Sequence, residues 1–225
     1  MTLDLAPALA PIVTPACLAF DGVTVVDHDH RLDAPFAEAE ARLRAGGTAL
    51  DEAVQRTRAL YRAIGLDPTK TRPSSEALLR RVRRGDTLPR VNTIVDLCNW
   101  CSVETQIAFG VYDRDRIAGD ALALRLGTEG EGYDGIRKDR VNVAGRLTLV
   151  DAEGPFGNPT SDSLRTSVSN ATTRVLFVLF VPASTPAADA ARAVSLTAGR
   201  VGDWAGGVET ARLIHSAAVT VTSTA

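Results

Sequence analysis

Cysteine is scarce in this sequence: Cys17, Cys98 and Cys101 are the only ones among 225 residues. An odd count without regular spacing gives no disulfide framework, which points to a reducing interior rather than export. Long apolar runs are also missing. The most apolar one, Val175–Val181, is far shorter than the roughly 20 residues that a membrane-crossing helix needs. It reads as a strand buried on both faces, and a membrane is not an expected partner. The start of the chain has no basic segment leading into a continuous apolar one, because Pro7, Pro11 and Pro15 interrupt it. No signal peptide is expected, and the expected location is the cytoplasm. Charge of one sign is lacking too. The formal net charge is −2, so bulk electrostatics do not draw in a polyanion, and nucleic-acid contact would need a local basic patch. Histidine is limited to His28, His30 and His215, and no G-x-S-x-G elbow occurs. A Ser/His/Asp hydrolytic triad is therefore unsupported.

What remains is an ordinary globular balance of 45% hydrophobic and 23% charged residues, which excludes disorder and coiled coil. No repeat, linker or low-complexity block appears, so residues 1–225 are expected to form a single domain. Strands are expected at Ile12–Phe20 and Val23–Asp27, around the turn signal Asp21-Gly22. Helices are expected over Ala34–Ala45, over Leu50–Ile64 capped by Thr48, and over Glu76–Arg84 capped by Ser74 or Ser75. Val91–Val103 has helical apolar spacing although its Val and Ile would also suit a strand. Short strands follow at Ile107–Tyr112, Ala121–Leu126, Val141–Val143 and Leu147–Asp151, and Thr173–Val181 is expected at the centre of the sheet. A helix over Ala187–Ala198, a short helix to about His215 and a frayed tail over 217–225 complete the chain.

The segment Arg90–Ser163 stands apart because polar residues recur inside apolar runs: Asn92, Asp96, Asn99, Ser102, Glu104 and Asp113, then Asn158 and Thr160–Ser163. Burying an unpartnered polar group costs about 1–3 kcal/mol, so this pattern implies a lined cavity or a dense internal hydrogen-bond network. Three other motifs carry less. Cys98-Asn-Trp-Cys101 lacks the further ligands of a zinc site and reads as packed thiols. His28-Asp-His30 would present two imidazoles on one strand face, but no third ligand is in view. Gly130–Gly135 matches G-x-G-x-x-G, yet no amphipathic helix follows and Glu129, Glu131 and Asp134 would repel phosphate. No metal and no cofactor are expected. The basic cluster of Arg80, Arg81, Arg83 and Arg84, with Arg90 nearby, fits either phosphate contacts or a solvated helix face matched to its dipole.

Taken together, the run from Pro89 to Gly119, the Glu129-Gly-Glu131 segment, the strand Leu147–Asp151 and the polar loop Asn158–Ser163 resemble the editing domain of the bacterial phenylalanyl-tRNA synthetase beta subunit. This B-three/B-four module also occurs free-standing, and Leu60–Arg81 and Asn158–Thr166 look like that branch. The resemblance covers about residues 60–181. It implies an α+β fold, a three-layer sheet/sheet/helix sandwich with mixed β-sheet, and a site between layers for the aminoacylated end of tRNA. Asn92, Asp96 and Asn99 match the family's Asn…Asp…Asn pattern, Glu104 its Glu, and Tyr112-Asp113 its aromatic-Asp pair. Where the family carries an editing histidine, this chain has Gly110. The family's Gly-Gly-Glu loop is shortened here, with Asp162 or Ser161 near its glutamate. Tyrosine-specific editing is therefore not carried over.

The expected function is a free-standing deacylase that hydrolyses the ester of mischarged aminoacyl-tRNA. Asn99, Glu104 and the amide near Gly110 serve catalysis, Asn92, Thr160, Ser161, Asp162 and Ser163 bind substrate, and Arg80, Arg81, Arg83, Arg84 and Arg90 contact the tRNA backbone. The expected partner is tRNA, with no DNA. Two alternatives are a binding module on the same fold that has lost chemistry, and a hydrolase or metal enzyme built on His28, His30 and the C-x-x-C.

Overall fold

The structure, a computed structural model, describes residues 1–136, 139–215 and 220–222. Twelve strands and five α-helices occur in it. The strands are β1 (Thr2–Leu5), β2 (Ala16–Asp21), β3 (Ala108–Asp113), β4 (Ala121–Leu126), β5 (Gly132–Asp134), β6 (Arg140–Asn142), β7 (Leu147–Asp151), β8 (Gly154–Asn158), β9 (Ser161–Asp162), β10 (Arg174–Phe180), β11 (Val208–His215) and β12 (Thr220–Thr222). The helices are α1 (Asp33–Ala45), α2 (Thr48–Ala63), α3 (Ser74–Arg83), α4 (Thr93–Thr105) and α5 (Ala187–Ala205).

Two five-stranded sheets carry the architecture. One has the order β1-β4-β7-β8-β9, the other β12-β11-β2-β10-β3, and β5 and β6 form a separate hairpin. The first sheet is mixed because β1 pairs parallel to β4 while its other pairs are antiparallel. β10 shows how the layers are joined. Its seven residues, Arg-Val-Leu-Phe-Val-Leu-Phe, lack polar alternation because both faces are covered. Val175, Phe177 and Leu179 join a core with Ile94, Leu97 and Leu79 from the helices. Leu176, Val178 and Phe180 point the other way and meet Leu124, Leu147, Leu149 and Phe156 from the first sheet. The result is an α+β sandwich layered sheet, sheet and helices, as expected.

Helix boundaries follow local chemistry. Gly46 and Gly47 adopt positive φ values of 70° and 146° between α1 and α2, a conformation that side chains disfavour. α4 starts where the Asn92 side chain accepts the Val95 amide at 3.0 Å, an N-cap. α4 is buried almost all round, packed by α3, α5 and β3.

Several expectations are corrected. Of the first expected strand, Ile12–Phe20, only Ala16–Phe20 lies in β2, because the chain up to Val13 is held in tight turns by Leu9 carbonyl bonds. Val23–Asp27 forms no hairpin with it. β2 already has β10 on one edge and β11 on the other, so no ladder edge is open to a returning strand. β2, not β10, lies at the centre of that sheet. α5 continues past residue 198 to Ala205, and residues 208–215 form a strand rather than a helix, with burial alternating at every second residue. Thr220–Thr222, within the expected frayed tail, pairs with Leu213–His215; residues 217–219 and 223–225 of that tail lie outside the described residues. His28 is in a turn and His30 opens a short 3-10 helix, His30–Leu32, so neither is in a strand. His28 has φ 47°, and His30 Nδ1 lies 3.0 Å from Asp33.

Candidate functional site

α4 presents Val95, Cys98, Asn99 and Ser102 along one stripe, at the i, i+3, i+4 and i+7 positions of a helix face. Opposite, β3 contributes the alternate residues Phe109 and Val111, and the β8–β9 turn contributes Asn158–Asp162. With Ser74 at the first turn of α3, and Ile136 and Val168 from loops, these residues enclose a cavity of about 490 Å³. That volume lies within the roughly 300–1,000 Å³ range of small-ligand sites.

The turn wall is built from hydrogen bonds. Asn158 Oδ1 accepts the amides of Thr160 and Ser161 at 2.8 and 2.9 Å, and its Nδ2 donates to the Tyr133 hydroxyl at 2.7 Å. Tyr133 donates in turn to the Ser161 carbonyl at 2.5 Å. The Tyr61 hydroxyl lies 2.9 Å from Thr160 Oγ1 and donates to the Pro159 carbonyl at 3.2 Å. Two tyrosines from distant elements thus hold a five-residue turn, and the order is set before any ligand arrives.

Asp162 is the unusual group in this wall. The Tyr112 hydroxyl donates to its Oδ1 at 2.7 Å. Burial pushes the Asp162 carboxyl up to about 7, against the opposing pull of the Tyr112 bond. Tyr112 is itself raised by burial and by Asp162. Tyr112 reaches the carboxyl because β3 and β8 leave room for its ring. A Cβ on Gly110 or on Gly157 would land on the Tyr112 hydroxyl. Cys98 also lines the cavity, but burial raises its thiol well above the ordinary range, so it holds its proton and is a poor nucleophile.

Of the residues singled out in the sequence, Asn99, Thr160, Ser161 and Asp162 come together here. Four others do not. Asn92 is spent as the α4 cap. Ser163 is buried behind the turn, its Oγ 2.8 Å from Thr166 Oγ1. Gly110 directs its Cβ position away from the cavity, because Phe109 and Val111 take that face of β3 and Gly110 the other. Glu104 is turned into a different recess of about 380 Å³ beside the α1–α2 turn. There it pairs with Arg42 at 2.8 Å and with Arg200, whose guanidinium stacks 3.5 Å from the Trp100 ring centroid. Burial alone would raise its carboxyl, but the two arginines outweigh that and lower it. In this second recess Arg56 pairs with Asp189 and Glu104 with its two arginines, and Arg192 completes the ionic lining.

The arginines have protein partners. Arg80 bonds Glu76, Arg81 the Thr87 carbonyl, Arg83 Asp51 and Arg84 Asp86. Arg90 differs in being half-buried, with donors on Asp96, Asp33 and the Asp29 carbonyl and its guanidinium 4.8 Å from the Phe36 ring centroid. It staples α4 to α1 and presents no free face to phosphate. Among the described residues, no cluster of three or more His, Cys, Asp or Glu side chains forms a metal-ligand set, and no helix is long and apolar enough to cross a membrane.

Sequence reasoning missed Ser74 as a lining residue, taking it for a helix cap. Pro73 occupies the cap position, leaving α3 without a side-chain cap. Tyr61 and Tyr133 were missed too, because nothing local in the sequence links them to the turn 98 and 28 residues away that their hydroxyls hold.

The described residues thus form a layered α+β fold with a preformed polar cavity between helices and strands. The family model for the B3/4 domain matches residues 56–202, and the chain belongs to that family. No curated protein matches it. Among solved structures it is similar to an N-terminal fragment of the phenylalanyl-tRNA synthetase beta-subunit from Pyrococcus horikoshii, at 13% identity and a TM-score of 0.50. The match covers 94% of this chain but spans only 55% of that fragment, so it supports the fold alone.

Proposed function

We propose that this chain acts on tRNA as a free-standing deacylase, hydrolysing the ester of a mischarged aminoacyl-tRNA in the cavity beneath α4, with residues 1–225 working as one domain. The observation that carries the reading is the convergence of Asn99, Thr160, Ser161 and Asp162 on one preformed recess. In the reaction, water adds to the ester carbonyl carbon, the bond from that carbon to the ribose oxygen breaks, and the leaving oxygen takes a proton. The ribose hydroxyl beside the ester relays a proton from the attacking water to the leaving oxygen, so no protein general base is required, and Asp162 is kept for holding the substrate. α3 starts at the cavity with Ser74 and, ten residues long, rises about 15 Å at ~1.5 Å per residue to its arginine end. Arg80, Arg81, Arg83 and Arg84 are exposed there. Their surface ion pairs are each worth about 0–1 kcal/mol and can be exchanged for acceptor-stem phosphates.

The test is incubation with a panel of mischarged tRNAs, following loss of the esterified amino acid. At least one pair should deacylate tenfold or more above the buffer rate; no acceleration for any pair removes the catalytic reading. A second reading, a tRNA-binding module without turnover, draws on the absence of a histidine from the cavity lining. It would show tRNA affinity falling steeply with salt and no ester loss.

A further inference from the structure

We propose that the cavity recognises an α-aminoacyl unit by its two ends: Ser74 and Asn99 on the helix side receive its carbonyl oxygen, and Asp162 on the strand side receives its free α-ammonium group. The inference rests on the reading above, and it names what that site selects.

The helix side supplies donors that lack partners. Ser74 Oγ is buried and makes no hydrogen bond, although Ser74 lines the cavity. Asn99 lines the same wall one helix away, and its side-chain amide has no partner among the described residues. The first amides of a helix have no acceptor within it, and α3 carries no side-chain cap over them. An oxygen placed here would satisfy groups that are otherwise left unmet, which is where specificity for a carbonyl comes from.

The strand side supplies the opposite polarity. Asp162 Oδ1 is held by Tyr112, and Oδ2 accepts no hydrogen bond among the described residues. No arginine, lysine or histidine among them pairs with Asp162, whereas the buried carboxylates Asp29, Glu40, Glu76, Asp96, Asp113 and Asp151 each pair with an arginine. A carboxylate fixed by one oxygen and left without a cation is complementary to a ligand that brings its own. Val95, Phe109, Val111, Ile136 and Val168 supply the apolar part of the same lining, which suits an uncharged, apolar side chain.

The experiment uses the full chain and three hydrolysis-resistant ligands, each an adenosine whose 3′-amine forms an amide with a phenylalanyl, an N-acetylphenylalanyl or a 3-phenylpropionyl group. Isothermal titration should give the free-amine ligand at least tenfold tighter binding than either analogue. D162N should compress that preference to within twofold. S74A and N99A should weaken all three ligands alike, by about three- to tenfold, and leave the preference intact. Equal affinity of the unmodified chain for the three ligands, no binding of any, or a preference that survives D162N overturns the proposal; the first two comparisons need no variant to fold. A chain that binds with this preference but hydrolyses no ester loses the catalytic reading and keeps this one.

Discussion

Replacing Asp162 with asparagine should make the protein more stable at neutral pH while leaving it unchanged or weaker in acid. Asparagine keeps the shape and still accepts the Tyr112 hydroxyl bond that Asp162 Oδ1 accepts at 2.7 Å; what it removes is a buried charge. The carboxyl moves from an ordinary 3.8 to about 7 on folding, so the folded protein holds that proton more tightly than the unfolded chain. The stabilisation this provides is complete below pH 3.8 and is lost as pH rises through about 7, because the unfolded chain ionises first. About three pKa units at 1.36 kcal/mol each give about 4 kcal/mol, and water entering the cavity reduces this to about 2–4 kcal/mol. Other carboxylates titrate identically in both proteins, so they cancel in the difference. Urea unfolding of the two proteins from pH 4.5 to pH 8 reads that difference directly. The stability gap should swing toward the variant by about 2–4 kcal/mol across this window and level off above pH 8. A gap that stays flat, or swings the other way, would show that the Asp162 carboxyl is not held in a charge-averse environment.

Three further substitutions test the reassigned residues by urea unfolding at pH 7. Glu104→Gln should cost about 3 kcal/mol, because it strands the largely buried Arg200 without its charge partner. Asn92→Ala should cost about 1 kcal/mol by uncapping α4, and Asn92→Asp, which keeps the acceptor for the Val95 amide, should recover most of it. Gly157→Ala should cost about 1–3 kcal/mol, because the new methyl meets the Tyr112 hydroxyl with no space to yield.

The layers of the fold were readable because they depend on periodicity. Val175–Val181 could only be a strand covered on both faces, and glycines at 46 and 47 could only separate two helices. The errors came where two local signals competed. Asp21-Gly22 is a good hairpin signal, yet β2 has both edges occupied, a fact of topology that no local window contains. Val208–His215 was lost because Gly206-Gly207 looked like ordinary punctuation between helices, although its alternating burial is a clear strand signature once the partner β2 is known. In the site, polar residues within apolar runs were a sound guide to burial but not to destination. Asn99 and Asp162 face the cavity, whereas Asn92, Glu104 and Ser163 are equally polar and are consumed as a cap, an ion pair and a turn bond. A buried polar residue must find a partner, and sequence alone does not say whether that partner is protein or ligand.

Gly110 shows how close those two outcomes lie. Its residue type drew attention because it replaces a histidine of the related editing domain, and an amide near it was expected to stabilise an oxyanion. Its actual contribution runs through another residue. Gly110 and Gly157 together clear the slot that admits the Tyr112 ring between the sheets, and the ring packs edge-on to Phe156 with centroids 5.0 Å apart. From that slot the hydroxyl crosses to the cavity wall and fixes one oxygen of Asp162. Had either glycine carried a side chain, its Cβ would collide with the Tyr112 hydroxyl that fixes Asp162 Oδ1. Two small residues in the sheet packing thus set the orientation of a group in the cavity, while burial raises its proton affinity. A histidine at 110 would occupy the Tyr112 slot rather than the cavity, so restoring the family's residue here should disable the site instead of improving it.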